Sequence, residues 1–301
     1  MLPVVADLLV AVPPAAAVYG ATRKWPHRDP AAPRLLPEVI AENVARRPRL
    51  ARLLRSRVDP AKETGLLLTA ALVGATFCVT GVGLLVRMIH SNSGLASYDL
   101  AFARWGAHNA SQISTSGLKL ISLFGGYQAL AVLSVVVAAV EFRRGMGRSV
   151  VPFLVLTVAG QFLVVNAVKA VVNRPRPNIA RLTGFSGASF PSGHAAAAAC
   201  SFAVFSLLLG RRRSPASKAV LAAVAAAITT AVAGSRVLLG VHWFTDVVAG
   251  IAIGWAWFTL ISLAFGGRIL RFGAPVAQAE AVQQSLDSPS GPPRPTPSAG
   301  R

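Results

Sequence analysis

Charged residues and cysteines are scarce in this chain of 301 residues, and acidic residues are the scarcest of the charged ones. Only 14% of the residues are charged, whereas 53% are hydrophobic. The hydrophobic residues come in blocks close to the roughly 20 residues that cross a bilayer, which argues against an ordinary soluble domain. The two cysteines, Cys78 and Cys200, lie inside such blocks without metal-ligand neighbours. They are therefore interpreted as small hydrophobic residues.

The surplus of basic over acidic residues gives the chain a net charge of +19. Such a charge would suit a nucleic-acid partner. Here, however, the basic residues lie mostly between the hydrophobic blocks, which is typical of membrane topology. We expect a membrane bilayer as the partner, and no nucleic acid.

Six hydrophobic blocks predict an all-α fold, a bundle of six transmembrane helices. Backbone polar groups in lipid must be satisfied within their own segment, so helices are favoured over open strands. Gly250, Gly254 and the alanine-rich stretches suit close approach between helices. The predicted spans are 65–86, 121–140, 149–170, 193–210, 217–238 and 244–265.

The predicted helical domain covers 65–266, and the two ends of the chain differ from it. The N-terminal segment 1–64 is basic, and within it 1–20 is hydrophobic enough for either a seventh span or a surface segment. The arginine-rich stretch 34–57 predicts either an interfacial segment or a solvated basic run. The tail 267–301 is rich in Pro, Ser and Gln, which predicts disorder.

The distribution of basic residues predicts the orientation of the bundle. With the N-terminal region inside, the inner segments carry 22 Lys and Arg, and the outer segments carry 8. This excess satisfies the positive-inside rule. The loops after the third and fifth spans then face outward together, so we expect the site on the extracytoplasmic side.

Those two loops contain most of the reactive residues of the second half of the chain. Between residues 142 and 279 the only carboxylate is Asp246. Holding Mg²⁺ or a metal pair requires several oxygen ligands. The sequence therefore predicts a site without metal or other cofactor.

Positive charge for an anionic substrate must then come from side chains. Lys169, Arg176 and Arg236 supply it, and arginine's planar fork matches phosphate oxygens. Ser192 and Gly193 open the fourth helix, where free N–H groups and the helix dipole favour an anion. These five residues form the predicted phosphate-binding set.

Two of the five histidines fall in the same region. His242 and Asp246 are four residues apart, which on a helix brings them within hydrogen-bond reach. A carboxylate there orients the imidazole and stabilises its protonated form. His194 is expected across the site, where it could protonate a leaving oxygen.

Three motifs in this region resemble those of the type 2 phosphatidic acid phosphatase superfamily. They are Lys-x6-Arg-Pro from Lys169, Pro-Ser-Gly-His ending at His194, and Ser-Arg-x5-His-x3-Asp ending at Asp246. The resemblance implies that His242 is the nucleophile, through a phosphohistidine, and that Asp246 orients it. It implies that His194 is the general acid, with the five residues above binding phosphate. Arg174 is out of register with the motif, and we expect no ligand role for it or for Asn173 and Arg181.

The resemblance implies a phosphatase acting on a lipid phosphate or diphosphate in a bacterial plasma membrane. Undecaprenyl diphosphate is the first expectation; phosphatidic acid and phosphatidylglycerol phosphate are the alternatives. Two other classes share the motifs or the fold. Vanadium-dependent haloperoxidases have a similar site but are soluble, and a catalytically silent membrane protein would not need intact histidines. The sequence predicts no oligomeric state.

Four hydrophobic residues after the first span recur at spacings of three and four. Leu95, Tyr98, Phe102 and Trp105 would share one face of a short helix lying on the membrane. Such a helix suits either a substrate entrance, as in the family resembled, or a plain interfacial anchor.

Overall fold

The computed structural model describes residues 1–24, 64–145, 149–211 and 213–269. The arginine-rich stretch 34–57 and nearly all of the tail 267–301 lie outside these residues. The helices are α1 (Leu2–Lys24), α2 (Thr64–Ser91), α3 (Asp99–His108), α4 (Gln112–Leu123), α5 (Tyr127–Arg143), α6 (Val150–Val155), α7 (Gln161–Val172), α8 (Gly193–Gly210), α9 (Pro215–Leu238) and α10 (Phe244–Ile269). A 3₁₀ turn, Gly94–Tyr98, precedes α3, and a π-helical turn, Leu156–Gly160, joins α6 to α7.

The predicted all-α membrane fold is confirmed, with no β-strand anywhere in the described ranges. Five helices are long and apolar enough to cross a membrane, and a bent pair makes a sixth. The five are α1, the continuous Val150–Val172 stretch, α8, α9 and α10. The chain is therefore an integral membrane protein. The predicted first span corresponds to α2, Thr64–Ser91.

The predicted span over 121–140 falls on a bent pair of helices. This region contains the end of α4 and the start of α5, which are bent by 46° relative to each other. The break falls at Gly125, where an added Cβ would lie 2.5 Å from Val232 Cγ1 and 2.9 Å from the His194 carbonyl oxygen. The bend therefore lets the chain pass directly over the start of α8.

The N-terminal segment, for which the sequence left two alternatives, is a helix packed along α9. Val4 contacts the cluster around Leu238 at the end of α9, whereas Asp7 lies against Gly234, nearer the middle. Thus α1 runs antiparallel to α9 and ends with Arg23 and Lys24 at the opposite side of the bundle. This direction places the basic end of α1 on the predicted inner side.

Helix α8 lies at the centre of the bundle, and its small residues explain why. Every residue from Ala195 to Phe205 is buried. On the facing helix, an added Cβ at Gly250 would lie 2.6 Å from the Ser192 carbonyl oxygen, and one at Gly254 would lie 2.4 Å from that of Ala196. The close approach expected from these two glycines is confirmed. It brings the first turns of α8 and α10 together.

Candidate active site

The three motif segments meet where α7 and α9 end and where α8 and α10 begin. The Ser192 amide donates to the Asp246 carbonyl oxygen at 2.9 Å, which joins the starts of α8 and α10. The Leu182 amide donates to the Leu239 carbonyl oxygen at 3.0 Å, which joins the two long loops. These loops hold the predicted site residues in one group.

The local sequence explains where each helix stops. Asn173 ends α7 in the left-handed conformation, with φ of 42°, and the prolines after it prevent the helix from resuming. Ser192 caps α8, because its hydroxyl accepts from the Ala195 amide. After α9 the chain turns at Gly240, with φ of 70°, where a Cβ would lie 1.8 Å from the Ala180 carbonyl oxygen.

His242 and Asp246 form the predicted pair, although not on one helix. His242 lies in the turn before α10, and its Nδ1 is 3.4 Å from Asp246 Oδ2. The pair forms because Asp246 is the third residue of α10. From there its carboxylate reaches back to accept from the Trp243 amide at 2.9 Å, as in a capping box.

The far side of the His242 ring faces a cation. Arg176 Nη1 lies 3.3 Å from His242 Nε2, and guanidinium can only donate, so Nε2 is assigned as an acceptor and Nδ1 as the protonated nitrogen. His242 is 2% exposed. Burial is the main reason why the pKa of His242 is lowered to about 4, and Asp246 only partly opposes it. The ring is therefore neutral near pH 7, with its Nε2 lone pair directed at the cations.

The three predicted cations differ in how they are held. Arg176 donates to several loop carbonyls, including Val241 at 2.6 Å and Ser186 at 2.8 Å. Lys169 Nζ donates to the Ala188 carbonyl oxygen, which Arg176 also contacts at 3.1 Å. Burial lowers the pKa of Arg176.

Arg236 is the most buried of these cations, with 6% of its surface exposed. Its Nη1 donates to the Ser122 hydroxyl of α4 at 2.9 Å. Its Nε is buried and has no acceptor within the part of the chain that the structure describes. A buried donor of a charged group without an acceptor is costly, and a phosphate oxygen is the kind of acceptor that would satisfy it.

His194 is the second residue of α8 and completes the group. It interacts electrostatically with four predicted site residues, namely Arg236, His242, Arg176 and Lys169. The Gly125 loop packs against its backbone. All eight predicted residues are thus brought together: Lys169, Arg176, Ser192, Gly193, His194, Arg236, His242 and Asp246.

The sequence missed the residues that hold Asp246. Arg174, for which no ligand role was expected, donates through Nη1 to Asp246 Oδ1 at 2.6 Å and through Nη2 to Asp99 Oδ2 at 2.7 Å. The Ser189 hydroxyl donates to Asp246 Oδ2. Asp246 is therefore accompanied by a second buried carboxylate from outside the motif region. In the sequence, the short Arg-Pro-Arg-Pro repeat was the one feature that could have indicated a role for Arg174 at the site.

In the described part of the chain, Asp99 and Asp246 do not belong to a group of potential metal ligands. Among the described residues, no group of three or more His, Cys, Asp or Glu side chains is arranged to hold a metal ion. Asp99 and Asp246 are instead bridged by the guanidinium of Arg174.

Comparison with known proteins shows what this region is similar to. Residues 150–269 match the model of the PAP2 superfamily. Phosphatidylglycerophosphatase B of Bacillus subtilis is 38% identical over 122 residues, which are 40% of this chain and 60% of that protein. Lipid A 1-phosphatase of Rhizobium etli is 36% identical over 120 residues, which are 36% of this chain and 47% of that protein. This chain thus covers less than two thirds of either relative.

A solved structure extends the similarity beyond the motifs. The crystal structure of a transmembrane PAP2-type phosphatidylglycerolphosphate phosphatase from Bacillus subtilis is similar with a TM-score of 0.59 at 29% identity. The match covers 67% of this chain and 98% of that one. The resemblance predicted from the three motifs is confirmed.

Proposed function

We propose that this chain, with its PAP2 superfamily region at residues 150–269, is an integral membrane phosphatase that hydrolyses the terminal phosphate of a lipid. One observation carries the proposal. A neutral, buried His242 is held by Asp246 and faces a cluster of cations, among which Arg236 keeps a buried donor without an acceptor. A nucleophile surrounded by phosphate-binding groups suits phosphoryl transfer, in which positioning and charge stabilisation supply most of the catalysis.

In the first step, His242 Nε2 attacks the phosphorus and forms a P–N bond while the P–O bond to the leaving group breaks. His194, protonated once the bound phosphate offsets the charge of the neighbouring cations, donates that proton to the departing oxygen. Asp246 accepts a hydrogen bond from Nδ1–H and stabilises the positive charge that develops on the ring. Arg176, which lies beside Nε2, shifts its donors from loop carbonyls to the phosphate oxygens.

In the second step, water attacks the phosphohistidine. His194, now neutral, takes a proton from that water, the P–N bond breaks, and inorganic phosphate leaves. Lys169, Arg236 and the N-terminus of α8 at Ser192 and Gly193 stabilise the phosphoryl oxygens in both steps. The proposed mechanism assigns charge stabilisation to these side chains and uses no metal ion in either step.

The substrate is proposed to keep its tail in the bilayer while its phosphate reaches the site, on the extracytoplasmic side of a bacterial plasma membrane. Undecaprenyl diphosphate is the substrate favoured by the family resemblance of the three motifs. The named activity of the Bacillus relatives supports phosphatidylglycerol phosphate as the second candidate. Phosphatidic acid shares the same monoester chemistry.

The test is phosphate release by detergent-purified protein in EDTA, with these three lipids supplied separately. We expect release that survives EDTA, and the lipid with the highest kcat/KM identifies the substrate. A folded protein that releases phosphate from none of them would contradict the proposed activity. Release that EDTA abolishes would contradict the metal-free mechanism.

A further inference from the structure

We propose that Arg174 and Asp99 are positioning residues, which hold the Asp246 carboxylate in the orientation that His242 requires. This inference rests on the proposed function and goes beyond the three motifs, because neither residue is one of their defining positions. The residues contribute to turnover through Asp246, without contacting the phosphate themselves.

The contacts of Asp246 show how its orientation is determined. Oδ2 accepts from the Trp243 amide and the Ser189 hydroxyl, and it faces His242 Nδ1. Oδ1 accepts from Arg174 at 2.6 Å. The carboxylate is completely buried. Because Arg174 holds Oδ1, the other oxygen remains directed at the imidazole.

Arg174 is itself held on three sides, so its position is not adjustable. Its Nη2 bonds to Asp99 Oδ2 at 2.7 Å, and its Nη1 also donates to the Thr245 hydroxyl at 2.8 Å. Its guanidinium lies over the Trp243 ring at 5.2 Å from the centroid. Lysine offers a point charge without this planar fork, so it could not make both ion pairs with the same geometry.

Asp99 connects this arrangement to a separate helix. It is the first residue of α3, and it accepts from the Thr245 amide at 2.8 Å and from the Thr245 hydroxyl at 2.7 Å. Phe102 of α3 packs on Phe244 with ring centroids 4.9 Å apart. Asp99 thus fixes Arg174 and the first turn of α10 at once. Removing Arg174 would leave two buried carboxylates without their cation, and removing Asp99 would take away one of the two carboxylates that hold Arg174.

The test is a double-mutant cycle measured as lipid phosphate turnover in detergent. Wild-type turnover is measured first; its absence would contradict the proposed function and not the positioning roles. We expect Arg174→Ala to lower kcat about 10- to 100-fold, the range typical of residues that orient a catalytic group, with KM changed less than about threefold. In an Asp246→Asn background, Arg174→Ala should lower kcat by less than about a further twofold, because the carboxylate that Arg174 orients is no longer present.

Asp99→Asn should behave in the same way, and Arg174→Lys should recover part of the lost kcat. Arg174→Lys also serves as the second variant if Arg174→Ala fails to fold. The matched control is Arg144→Ala, which removes the 2.9 Å ion pair with Glu141 at the far end of α5 and should leave kcat within about twofold. Equal losses from Arg174→Ala in both backgrounds would overturn the positioning role. A rise in KM at unchanged kcat would also overturn it, by showing that Arg174 binds substrate.

Discussion

At the scale of single residues, the site depends on a neutral imidazole inside a group of positive charges. Burial opposes protonation of His242 most strongly, Asp246 favours protonation, and the cations Arg176 and Arg236 add to the effect of burial. The balance leaves Nε2 with a free lone pair near pH 7. The same cations would lower the energy of a phosphoryl group as negative charge moves toward the leaving oxygen.

Asp246→Asn should lower kcat by about 10³-fold or more. The amide is nearly isosteric, but it cannot stabilise the imidazolium and can hold the ring in the wrong tautomer, as in hydrolytic triads. Steady-state phosphate release gives the measurement. The control is Ser217→Ala at the far end of α9, which should leave kcat unchanged. An Asp246→Asn enzyme within about tenfold of wild type would contradict an orienting role.

The acid limb of kcat/KM should lie well below pH 6.5. Since the pKa of His242 is lowered to about 4, the ring stays neutral and reactive as the pH falls through 6.5, and protonation removes the nucleophile only as the pH approaches 4. The measurement is kcat/KM between pH 3.5 and 8 in a detergent that is insensitive to pH. An acid limb centred at or above 6.5 would mean that the imidazole is not buried in the working enzyme.

At the scale of elements, the close pairing of α8 and α10 places the first turns of both helices at the site. Substituting Gly254 by Ala would require the helices to separate, because the new Cβ would lie 2.4 Å from the Ala196 carbonyl oxygen. We expect a loss of stability of about 1–3 kcal/mol. Thermal unfolding in detergent measures it. The control is Gly83→Ala in α2, where nothing lies within 4 Å; equal stability of the two variants would contradict this packing.

Helix α3 forms as the spacing of its hydrophobic residues predicted, although Leu95 and Tyr98 belong to the 3₁₀ turn before it. All four hydrophobic residues are exposed to a similar degree, from 37% for Trp105 to 56% for Tyr98. Whether this face lies on the membrane stays a prediction. The structure adds that α3 begins with the buried Asp99, which contacts Arg174 and Thr245, so this helix is joined directly to the side chains around Asp246.

At the scale of the whole molecule, the site-bearing ends of the helices all lie on one side of the bundle. The orientation of that side stays a prediction of the positive-inside rule. Two single-cysteine substitutions test it, Ser186→Cys in the loop beside Arg176 and Ala216→Cys at the start of α9. Both positions are exposed. A membrane-impermeant maleimide should label Ser186→Cys in intact cells, but Ala216→Cys only after permeabilisation. The reverse pattern would contradict an extracytoplasmic site, and unsubstituted protein provides the blank.

The sequence predicted what local patterns encode, and it failed where contacts are long-range. Hydropathy placed the starts or ends of α8, α9 and α10 within a few residues, and motif spacing identified the His242–Asp246 pair. The role of Arg174 was not predicted, because its partners Asp99 and Asp246 are 75 and 72 residues away, and no periodicity links them. The break at Gly125 was missed for a similar reason, since it depends on packing against α8 and α9.

The central claim is that lipid phosphate passes through His242, and trapping the intermediate tests it most directly. Protein is mixed with lipid labelled in its terminal phosphate, quenched in alkali within one turnover, and mapped by peptide mass and label. We predict label on His242 in wild type, with none on the His242→Ala protein, which should insert normally and release no phosphate. Label on another residue, or substantial turnover by His242→Ala, would contradict the account.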